Sequence, residues 1–461
     1  MNNYFSKRIH FIGIGGIGMS GIASILRSKG YAVSGSDIKE SMITGKLADK
    51  GIKIFLGHDA SHLNGAELVI YSSAVKEDNP ELLSARARGL MIMRRAEALA
   101  KLMQDKTCVA ISGAHGKTTT TALASHLLLQ SGFCPTVAIG GILRNLDDNS
   151  CLGNGNFFVA EADESDGTFL YYNPDYPIIT NIDREHLDYY HSWADILNAY
   201  KKFISNAKES GCLFCCGDDP AIRQITRGYR KRLIYYGLSR DNDFYPQGLA
   251  MNEFSCVFNY CYRGRAMGKV FLPLSGSHNV QNSLAVVGLG VELGISPKNI
   301  ESALAAFKGT ERRFQLKLDF AGFKLIDDYG HHPSEIRATL EAAKNVKHKR
   351  LIVVFQPHRY SRTKFLMEDF AQSLALADYL ILTDIYAAGE SPIDGVSSEL
   401  LCNKIKEKFA SVEAVYLKKE RIVEHLIRIL KPQDLLLTLG AGDIGKLSDE
   451  LAQRIKSQNT F

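Results

Sequence analysis

The chain has 461 residues, of which 45% are apolar and 23% are charged, with a formal net charge of +5. This composition predicts a soluble globular protein of about three domains. No lysine and arginine run is dense enough to predict nucleic-acid binding, and no uncharged apolar stretch approaches the ~18 residues of a membrane span. The first residues also lack the apolar core of a signal peptide. We therefore expect a cytoplasmic protein with neither a nucleic-acid nor a membrane partner.

The chain opens with a strand, a glycine loop and a helix. The loop is GIGGIG, and its glycines are Gly13, Gly15, Gly16 and Gly18. A second strand ends at Asp37, about twenty residues on, so the pattern is the fingerprint of a dinucleotide site with Asp37 on a ribose hydroxyl. The spacing predicts a bound diphosphate but does not identify the molecule that carries it. A further strand, 68–71, leads into Ser72 and Ser73 and continues the α/β pattern to a domain boundary near residue 106.

A second phosphate-binding pattern follows at residues 107–129. An apolar strand runs into a glycine turn and a helix start, with the loop residues Gly113, Ala114, His115, Gly116, Lys117, Thr118 and Thr119. Lys117 is expected to reach the β- and γ-phosphates of a nucleotide, and Thr118 to offer its hydroxyl to Mg²⁺. The loop is shorter than the common Walker A motif, because position 111 is isoleucine. An ordinary strand-to-helix turn is the alternative.

Acidic and imidazole side chains follow two further strands of this segment. One strand, 156–160, leads into Glu161, and another, 176–180, leads towards His186. Ligands bind at the carboxyl ends of strands in open α/β sheets, and Mg²⁺ prefers carboxylate, hydroxyl and phosphate oxygens. Glu161 is therefore a candidate Mg²⁺ ligand. His186 is less natural for Mg²⁺, and taken alone it is better explained as a capping or core histidine.

The middle of the chain carries weaker signals. Nine cysteines, an odd number, do not predict a disulfide framework. The C-x-x-C at 212–215 lies in an apolar run, which favours buried strand thiols over a metal or redox site. Alternating aromatic and polar residues between 231 and 274 predict antiparallel strands. At the helix start after Gly276, Asn279 and Asn282 either cap the helix or face the nucleotide.

The last third of the chain predicts a second doubly wound domain. Four strands end in polar or glycine-rich turns, at 324–326, 351–355, 380–382 and 435–439. Arg359 and Arg362 follow the second of these strands and suit bidentate capture of a carboxylate or phosphate. Two exposed arginines at a helix start are the alternative.

Eight blocks of sequence, in order and over nearly the whole chain, resemble the Mur ligase family. They are GIGGIGMSGIA, GAHGKTTTT, EADESDGTF, NIDREHLD, GSHNVQN, ERRFQ, DDYGHHPSEI and FQPHRYSRT. Within the family they are similar to the branch that joins L-alanine to UDP-N-acetylmuramate. The resemblance implies an α/β fold of three domains. These are a Rossmann-like domain for the UDP-sugar at 1–106, a P-loop ATPase with a mixed sheet at 107–310, and a Rossmann-like domain at 311–461 that binds the amino acid and closes over the site.

The resemblance also implies roles for individual residues. The catalytic residues are expected to be Lys117, Glu161, His186, Arg313 and Asp328. ATP is expected to contact the loop from Gly113 to Thr119 together with Asn279 and Asn282. The UDP-sugar is expected to contact Gly13, Gly15, Gly16, Gly18, Asp37, Ser72 and Ser73. L-alanine is expected to contact Tyr329, His331, His358, Arg359 and Arg362. Mg²⁺ is expected to bind Thr118, Glu161 and His186.

The implied reaction uses ATP and Mg²⁺. The lactyl carboxylate of UDP-N-acetylmuramate attacks the γ-phosphate, and the α-amine of L-alanine then displaces phosphate from the acyl phosphate, a step of cell-wall precursor assembly. A nicotinamide oxidoreductase, a ligase that attaches a whole tripeptide to the same sugar, and a non-enzymatic nucleotide switch are the alternatives. Lys201 has the spacing of a lysine that related ligases carbamylate, but no role is assigned to it. Either a monomer or a homodimer is compatible with the sequence.

Overall fold

The computed structural model describes residues 5–458. The chain forms two compact units. The first contains the chain up to residue 249 with 258–271 and 280–308, and the second contains 250–257, 272–279 and the chain from 309 onward. No helix among the described residues is long and apolar enough to cross a membrane. Three sheets with flanking helices confirm the predicted α/β class.

The first sheet is fully parallel, with strand order β3-β2-β1-β4-β5. Its strands are β1 (Arg8–Ile12), β2 (Ala32–Asp37), β3 (Lys53–Leu56), β4 (Leu68–Tyr71) and β5 (Met91–Arg94). Its helices are α1 (Ile17–Ser28), α2 (Met42–Asp49), α3 (Pro80–Ala87) and α4 (Arg95–Met103), with a 3₁₀ turn at Ala60–Leu63. The strand order changes direction at β1, so the glycine loop after β1 lies at the position where open α/β sheets bind ligands.

The second sheet has ten strands in the order β15-β14-β13-β12-β11-β10-β6-β9-β7-β8. These are β6 (Thr107–Ser112), β7 (Thr136–Leu143), β8 (Asp148–Cys151), β9 (Phe157–Glu161), β10 (Tyr176–Ile179), β11 (Leu213–Cys216), β12 (Leu233–Tyr236), β13 (Phe244–Met251), β14 (Cys256–Tyr262) and β15 (Arg265–Leu272). The helices are α5 (Lys117–Gln130), α6 (Leu187–Tyr190), α7 (Trp193–Ser205), α8 (Pro220–Ile225), α9 (Ser277–Glu292) and α10 (Pro297–Ala305), with a 3₁₀ turn at Thr168–Tyr171.

The P-loop strand, β6, is an internal strand of this second sheet. β6 pairs in parallel with β9 on one side and β10 on the other, so three strands deliver their carboxyl ends to one edge. Strands β14 and β15 are neighbours joined by two residues, a link that only antiparallel strands can use. Cys212, Cys215 and Cys216 are buried free thiols on or beside β11, as predicted.

The third sheet has six strands in the order β16-β17-β21-β18-β19-β20, with only β16 antiparallel to its neighbour. Its strands are β16 (Gln315–Phe320), β17 (Phe323–Asp328), β18 (Arg350–Phe355), β19 (Tyr379–Leu382), β20 (Glu413–Tyr416) and β21 (Asp434–Leu439). Its helices are α11 (Pro333–Ala343), α12 (Tyr360–Phe365), α13 (Met367–Leu374), α14 (Ser398–Lys408), α15 (Lys419–Ile429) and α16 (Ile444–Gln458).

Helices cover both faces of the third sheet, which explains the continuous apolar run of its central strand. Leu351, Val353 and Phe355 of β18 belong to one core cluster, whereas Ile352 and Val354 belong to another. Because successive side chains of a strand point to opposite faces, a strand buried on both faces must be apolar throughout. The domain boundaries at residues 106 and 310 stay predictions.

Candidate active site

The first glycine loop is shaped by close backbone contacts. Gly13 has φ +78°, and its N–H donates to Ser36 O at 2.9 Å. The Gly15 N–H donates to Asp37 Oδ2 at 2.8 Å, and a Cβ on Gly15 would lie 2.8 Å from the same oxygen. Asp37 therefore braces the glycine loop, which the sequence analysis did not anticipate, and its predicted contact with a ribose stays a prediction. Gly16 caps α1 without a side-chain hydrogen bond, which leaves the helix N–H groups available to an anion.

The two serines of this predicted site follow β4. Ser72 Oγ accepts the Ala74 N–H at 3.3 Å, and the Ser72 Cβ lies 3.3 Å from the position of a Cβ on Gly13. Ser73 is exposed. The ends of β1, β2 and β4 thus bring the glycine loop, Asp37 and Ser72 to one edge of the first sheet.

The P-loop is held by the turn that follows β10. The Ala114 N–H donates to Asn181 O at 3.1 Å, and the His115 N–H donates to Asn181 Oδ1 at 2.8 Å. His115 Nε2 lies 3.0 Å from Asp183 Oδ2. Gly113 has φ +135°, and a side chain there would collide with Thr180 Oγ1. The loop is therefore fixed before any nucleotide binds.

Lys117 is the first residue of α5 and folds back over this loop. Its Nζ donates to Glu164 Oε1 at 2.7 Å and to Ala114 O at 3.1 Å. Burial lowers the pKa of Lys117, but the neighbouring carboxylates, Glu164 above all, outweigh burial and raise the pKa above its usual range. The ammonium therefore stays charged, as phosphate binding requires.

Glu161 and Thr118 form the first half of the predicted metal site. Glu161 ends β9, and its Oε2 accepts the Thr118 hydroxyl at 3.0 Å and the Gly140 N–H at 3.1 Å. A Cβ on Gly140 would lie 2.5 Å from that carboxylate oxygen. The close approach of the β7 backbone thus sets the position of Glu161.

His186 lies beside two carboxylates other than Glu161. Its Nε2 is 3.8 Å from Glu164 Oε1 and 3.7 Å from Glu185 Oε2. Potential ligand atoms of these three residues lie within 4.8 Å of one another. Glu164 Oε2 is buried and accepts no hydrogen bond from the part of the chain that the structure describes, so it is available as a ligand. This mostly oxygen donor set fits Mg²⁺. Glu164 and Glu185 were not predicted, although both stand in acidic runs after strands.

Asn282 lies close to the P-loop, as its predicted contact with the nucleotide requires. Its Oδ1 is 2.6 Å from the position of a Cβ on Gly116, which has φ +82°. Asn279 Nδ2 donates to Ser275 O at 2.7 Å, so this side chain also stabilises the start of α9.

In the second unit, Asp328 braces two loops. Its Oδ2 accepts the Phe314 N–H and its Oδ1 accepts the Gly330 N–H, each at 2.7 Å. Burial raises the pKa of Asp328. The Arg313 guanidinium lies 5.1 Å from the centre of the Tyr329 ring and 3.8 Å from Glu335 Oε1. Asp328 therefore positions the loops that carry Arg313 and Tyr329.

The predicted amino-acid residues of this unit cluster after β17 and β18. The His358 ring is 5.5 Å from the His331 ring and stacks on Tyr386 at 5.6 Å. Tyr329 in turn lies 5.5 Å from His331, and Arg362 Nη1 is 3.2 Å from His358 Nδ1. Burial, with help from nearby cations, lowers the pKa of His358 to about 3, so this imidazole is neutral at neutral pH.

Arg359 has an unusual backbone within this cluster. Its φ is +71°, a region that non-glycine residues rarely adopt, and its N–H donates to Tyr386 O at 2.9 Å. The buried Nε of Arg359 has no hydrogen-bond partner in the described chain. Strain together with an unsatisfied guanidinium donor is typical of a functional position. Tyr386 was missed by the sequence analysis because it follows a different strand.

Three family models match the chain in succession. Residues 8–107 match the Mur ligase family catalytic domain, 111–290 match the Mur ligase middle domain, and 312–442 match the Mur ligase glutamate ligase domain. Among known relatives, the UDP-N-acetylmuramate–L-alanine ligase of Geobacter sp. (strain M21) is 45% identical over 452 residues, covering 98% of each chain. The ligase of the same name from Geotalea daltonii is 44% identical over 450 residues, also covering 98% of each.

Solved structures agree with these matches. The UDP-N-acetylmuramate-alanine ligase MurC of Thermotoga maritima has a TM-score of 0.85 and 32% identity, with 98% of this chain and 99% of that chain covered. The murein peptide ligase mpl of Psychrobacter arcticus has a TM-score of 0.73 at 23% identity, which supports the fold alone. With family models over most of its length and full-length relatives above 40% identity, this chain belongs to the Mur ligase family.

Proposed function

We propose that the protein is an ATP-dependent ligase that joins L-alanine to the lactyl carboxylate of UDP-N-acetylmuramate. The products are UDP-N-acetylmuramoyl-L-alanine, ADP and phosphate, in a step of peptidoglycan synthesis. The observation that carries the proposal is the charged Lys117 held over the P-loop, 2.7 Å from Glu164 and followed by the Thr118–Glu161 pair. The full-length relatives named for this reaction support the choice of substrates.

Phosphoryl transfer from ATP is assigned to the P-loop side of the first unit. The γ-phosphate competes with Glu164 for the Lys117 ammonium, which then offsets the charge that develops on the transferring group. Thr118 and Glu161, and the group of Glu164, Glu185 and His186, are the residues that would hold Mg²⁺. When bound, Mg²⁺ supplies further charge neutralisation to the phosphate oxygens.

The acceptor amino acid is assigned to the cluster in the second unit. Arg359 and Arg362 are cations suited to the carboxylate of L-alanine, and the unpaired Nε of Arg359 is a free donor for it. Neutral His358, stacked on Tyr386, adds no further positive charge that would repel the α-ammonium group. Fixing the carboxylate in this way orients the amine for attack on the acyl phosphate.

The UDP-sugar is assigned to the loop from Gly13 to Gly18, with Asp37, Ser72 and Ser73 beside it. The uncapped start of α1 offers N–H groups to the diphosphate. The proposed reaction consumes ATP, so a cytoplasmic location is part of the proposal. The oligomeric state, a monomer or a homodimer, stays a prediction from the sequence.

Release of phosphate by the purified protein tests the reaction. We expect release only when ATP, UDP-N-acetylmuramate and L-alanine are all present. The Lys117→Ala variant is the negative control. Phosphate release that needs an L-alanyl-γ-D-glutamyl tripeptide instead of L-alanine would contradict the proposed acceptor. Binding of a nicotinamide dinucleotide but not ATP would contradict the reaction class.

Isotope labelling tests the acyl phosphate. If the sugar carboxylate attacks ATP, one of its oxygens leaves with phosphate when the amine displaces it. UDP-N-acetylmuramate labelled with ¹⁸O in its carboxylate should therefore transfer a single label to the released phosphate, in step with amide formation. Unlabelled phosphate formed under turnover would exclude this intermediate even if the ligase activity were established.

A further inference from the structure

Arg95 lies against the first glycine loop. It is the first residue of α4, directly after β5, and its guanidinium packs on the first turn of α1. A Cβ on Gly18 would lie 3.2 Å from both Cδ and Nη1 of Arg95. The missing side chain of Gly18 therefore makes room for a cation beside the loop to which the diphosphate is assigned.

The guanidinium of Arg95 is poorly satisfied by the protein. Its side chain is 18% exposed, and its one hydrogen bond within residues 5–458 runs from Nη2 to Asp163 Oδ2 at the long distance of 3.5 Å. Arg312 and Arg350 are similarly buried, at 24% and 28% exposure, and each donates three hydrogen bonds to protein oxygens. Because a guanidinium carries five N–H donors, most donors of Arg95 are left for something other than protein.

Asp163 connects Arg95 to the ATP side of the same unit. It stands between Glu161 and Glu164 in the sequence, and its Oδ1 accepts the Ser165 N–H at 3.1 Å, which fixes its orientation. Arg95 therefore lies between the glycine loop after β1 and the carboxylate segment after β9. A sugar nucleotide whose carboxylate must reach ATP has to extend from the first of these to the second.

We propose that Arg95 binds an anionic group of the sugar nucleotide, through the planar fork that guanidinium presents to phosphate or carboxylate oxygens. This inference rests on the proposed function. Two groups of that substrate share the required chemistry, namely the diphosphate and the lactyl carboxylate. The contact with Gly18 orients Arg95, and the weak bond to Asp163 leaves the remaining donors free.

Calorimetric titration of the full-length protein tests the inference, with UDP and UDP-N-acetylmuramate as separate ligands. For Arg95→Ala we expect at least tenfold weaker binding of both ligands if the diphosphate is the partner. We expect this loss for UDP-N-acetylmuramate alone if the carboxylate is the partner. Arg95→Lys should recover only part of the loss, because it keeps the charge but not the fork. Unchanged affinity for both ligands in Arg95→Ala would overturn the inference.

Two controls separate binding from structure. Arg86→Ala removes a 46% exposed arginine, paired with Glu77, from the same half of the unit and should leave both affinities unchanged. The ATP affinity and the melting temperature of Arg95→Ala report whether the unit stays folded. If Arg95→Ala does not fold, the affinities of Arg95→Lys for the two ligands test the inference instead. Asp163→Asn removes the ion pair but keeps the cation, so we expect near-parental affinity for the ligand that Arg95 binds.

The outcomes also distinguish this inference from the proposed function. If Asp163→Asn weakens the sugar nucleotide as much as Arg95→Ala does, Arg95 serves only as a partner of Asp163 and the inference is wrong. If the parent protein and Arg95→Ala bind UDP-N-acetylmuramate with equal affinity, only the inference fails. If the parent protein binds neither ligand, the proposed function fails and the inference fails with it.

Discussion

The pair formed by Lys117 and Glu164 gives the sharpest prediction, because it ties stability and catalysis to the same two atoms. The side chains are 14% and 5% exposed, and Nζ lies 2.7 Å from Oε1. Removing Lys117 leaves the Glu164 carboxyl buried without its partner, and burial raises the pKa of this carboxyl to about 8. Breaking a buried ion pair costs up to about 5 kcal/mol of stability, and uptake of a proton by Glu164 lowers that cost. We therefore expect Lys117→Ala both to melt at a lower temperature and to lose about 10²- to 10³-fold in kcat, the usual cost of losing a group that stabilises developing charge.

A double variant separates the two effects. Lys117→Met with Glu164→Gln replaces the ion pair by neutral groups of similar size, so most of the lost stability should return. Ligation should stay absent, because no cation faces the γ-phosphate and Glu164, which is assigned to the Mg²⁺ site, has lost its charge as well. Thermal unfolding of the ligand-free protein and phosphate release at saturating ATP measure the two quantities independently.

Two results would refute this reasoning. Activity within threefold of the parent in Lys117→Ala would mean that Lys117 does not contact the transferring phosphate. Recovery of activity in the double variant would mean that the loss in Lys117→Ala came from the unpaired carboxylate of Glu164 and not from the missing cation.

Three further predictions follow from the other sites. Gly140→Ala should raise the Mg²⁺ concentration needed for half-maximal rate, because the new methyl group would lie 2.5 Å from Glu161 Oε2; an unchanged Mg²⁺ titration would contradict this. Arg359→Ala should raise the KM for L-alanine about 10- to 100-fold, because a lost charge-assisted hydrogen bond costs about 1.5–3 kcal/mol of binding free energy. The KM for ATP should stay within twofold of the parent value. Lowering the pH from 6.5 towards 5 should destabilise the second unit. Folding lowers the pKa of His358 from its ordinary value of 6.5 to about 3, so the unfolded chain binds more protons than the folded chain over this range. The melting temperature of His358→Gln should therefore fall less steeply over this range than that of the parent.

The strands that the sequence predicts well are those whose environment leaves little choice of residue. Leu351–Phe355 and the strand after Thr107 are buried on both faces, so they read as unbroken apolar runs. Among the strands that the sequence did not predict, β8 is the clearest case of a short strand at an edge. β8, Asp148–Cys151, has the sequence DNSC and forms the outer edge of the second sheet. β8 is a strand because it pairs with β7 in the folded sheet, and its local sequence does not predict a strand.

The same difference applies to the sites. Lys117, Glu161 and Arg359 lie at, or a few residues after, the carboxyl ends of parallel strands, so the topology of the sheets is enough to predict a role for them. Glu164 and Arg95 also follow strands, but their roles depend on the tertiary partners that they meet. Glu164 meets a lysine 47 residues away, and Arg95 meets an aspartate 68 residues away. Sequence spacing carries no information on contacts of this kind, and only the resemblance to a family or the structure itself brings them to notice.

The hairpin of β7 and β8 connects the two glycine loops of the first unit, the loop after β1 and the P-loop after β6. At one end, the Gly140 N–H donates to Glu161 beside the P-loop. At the other end, Asn149 Nδ2 donates to Ile17 O and to Ser20 Oγ in the first turn of α1. Together with the contact between Arg95 and Asp163, this gives two separate connections between the loop assigned to the sugar nucleotide and the loop assigned to ATP. Because both connections form within one compact unit, the spacing between these two loops is set by folding. The residues assigned to L-alanine belong to the other unit, so this connection does not extend to them.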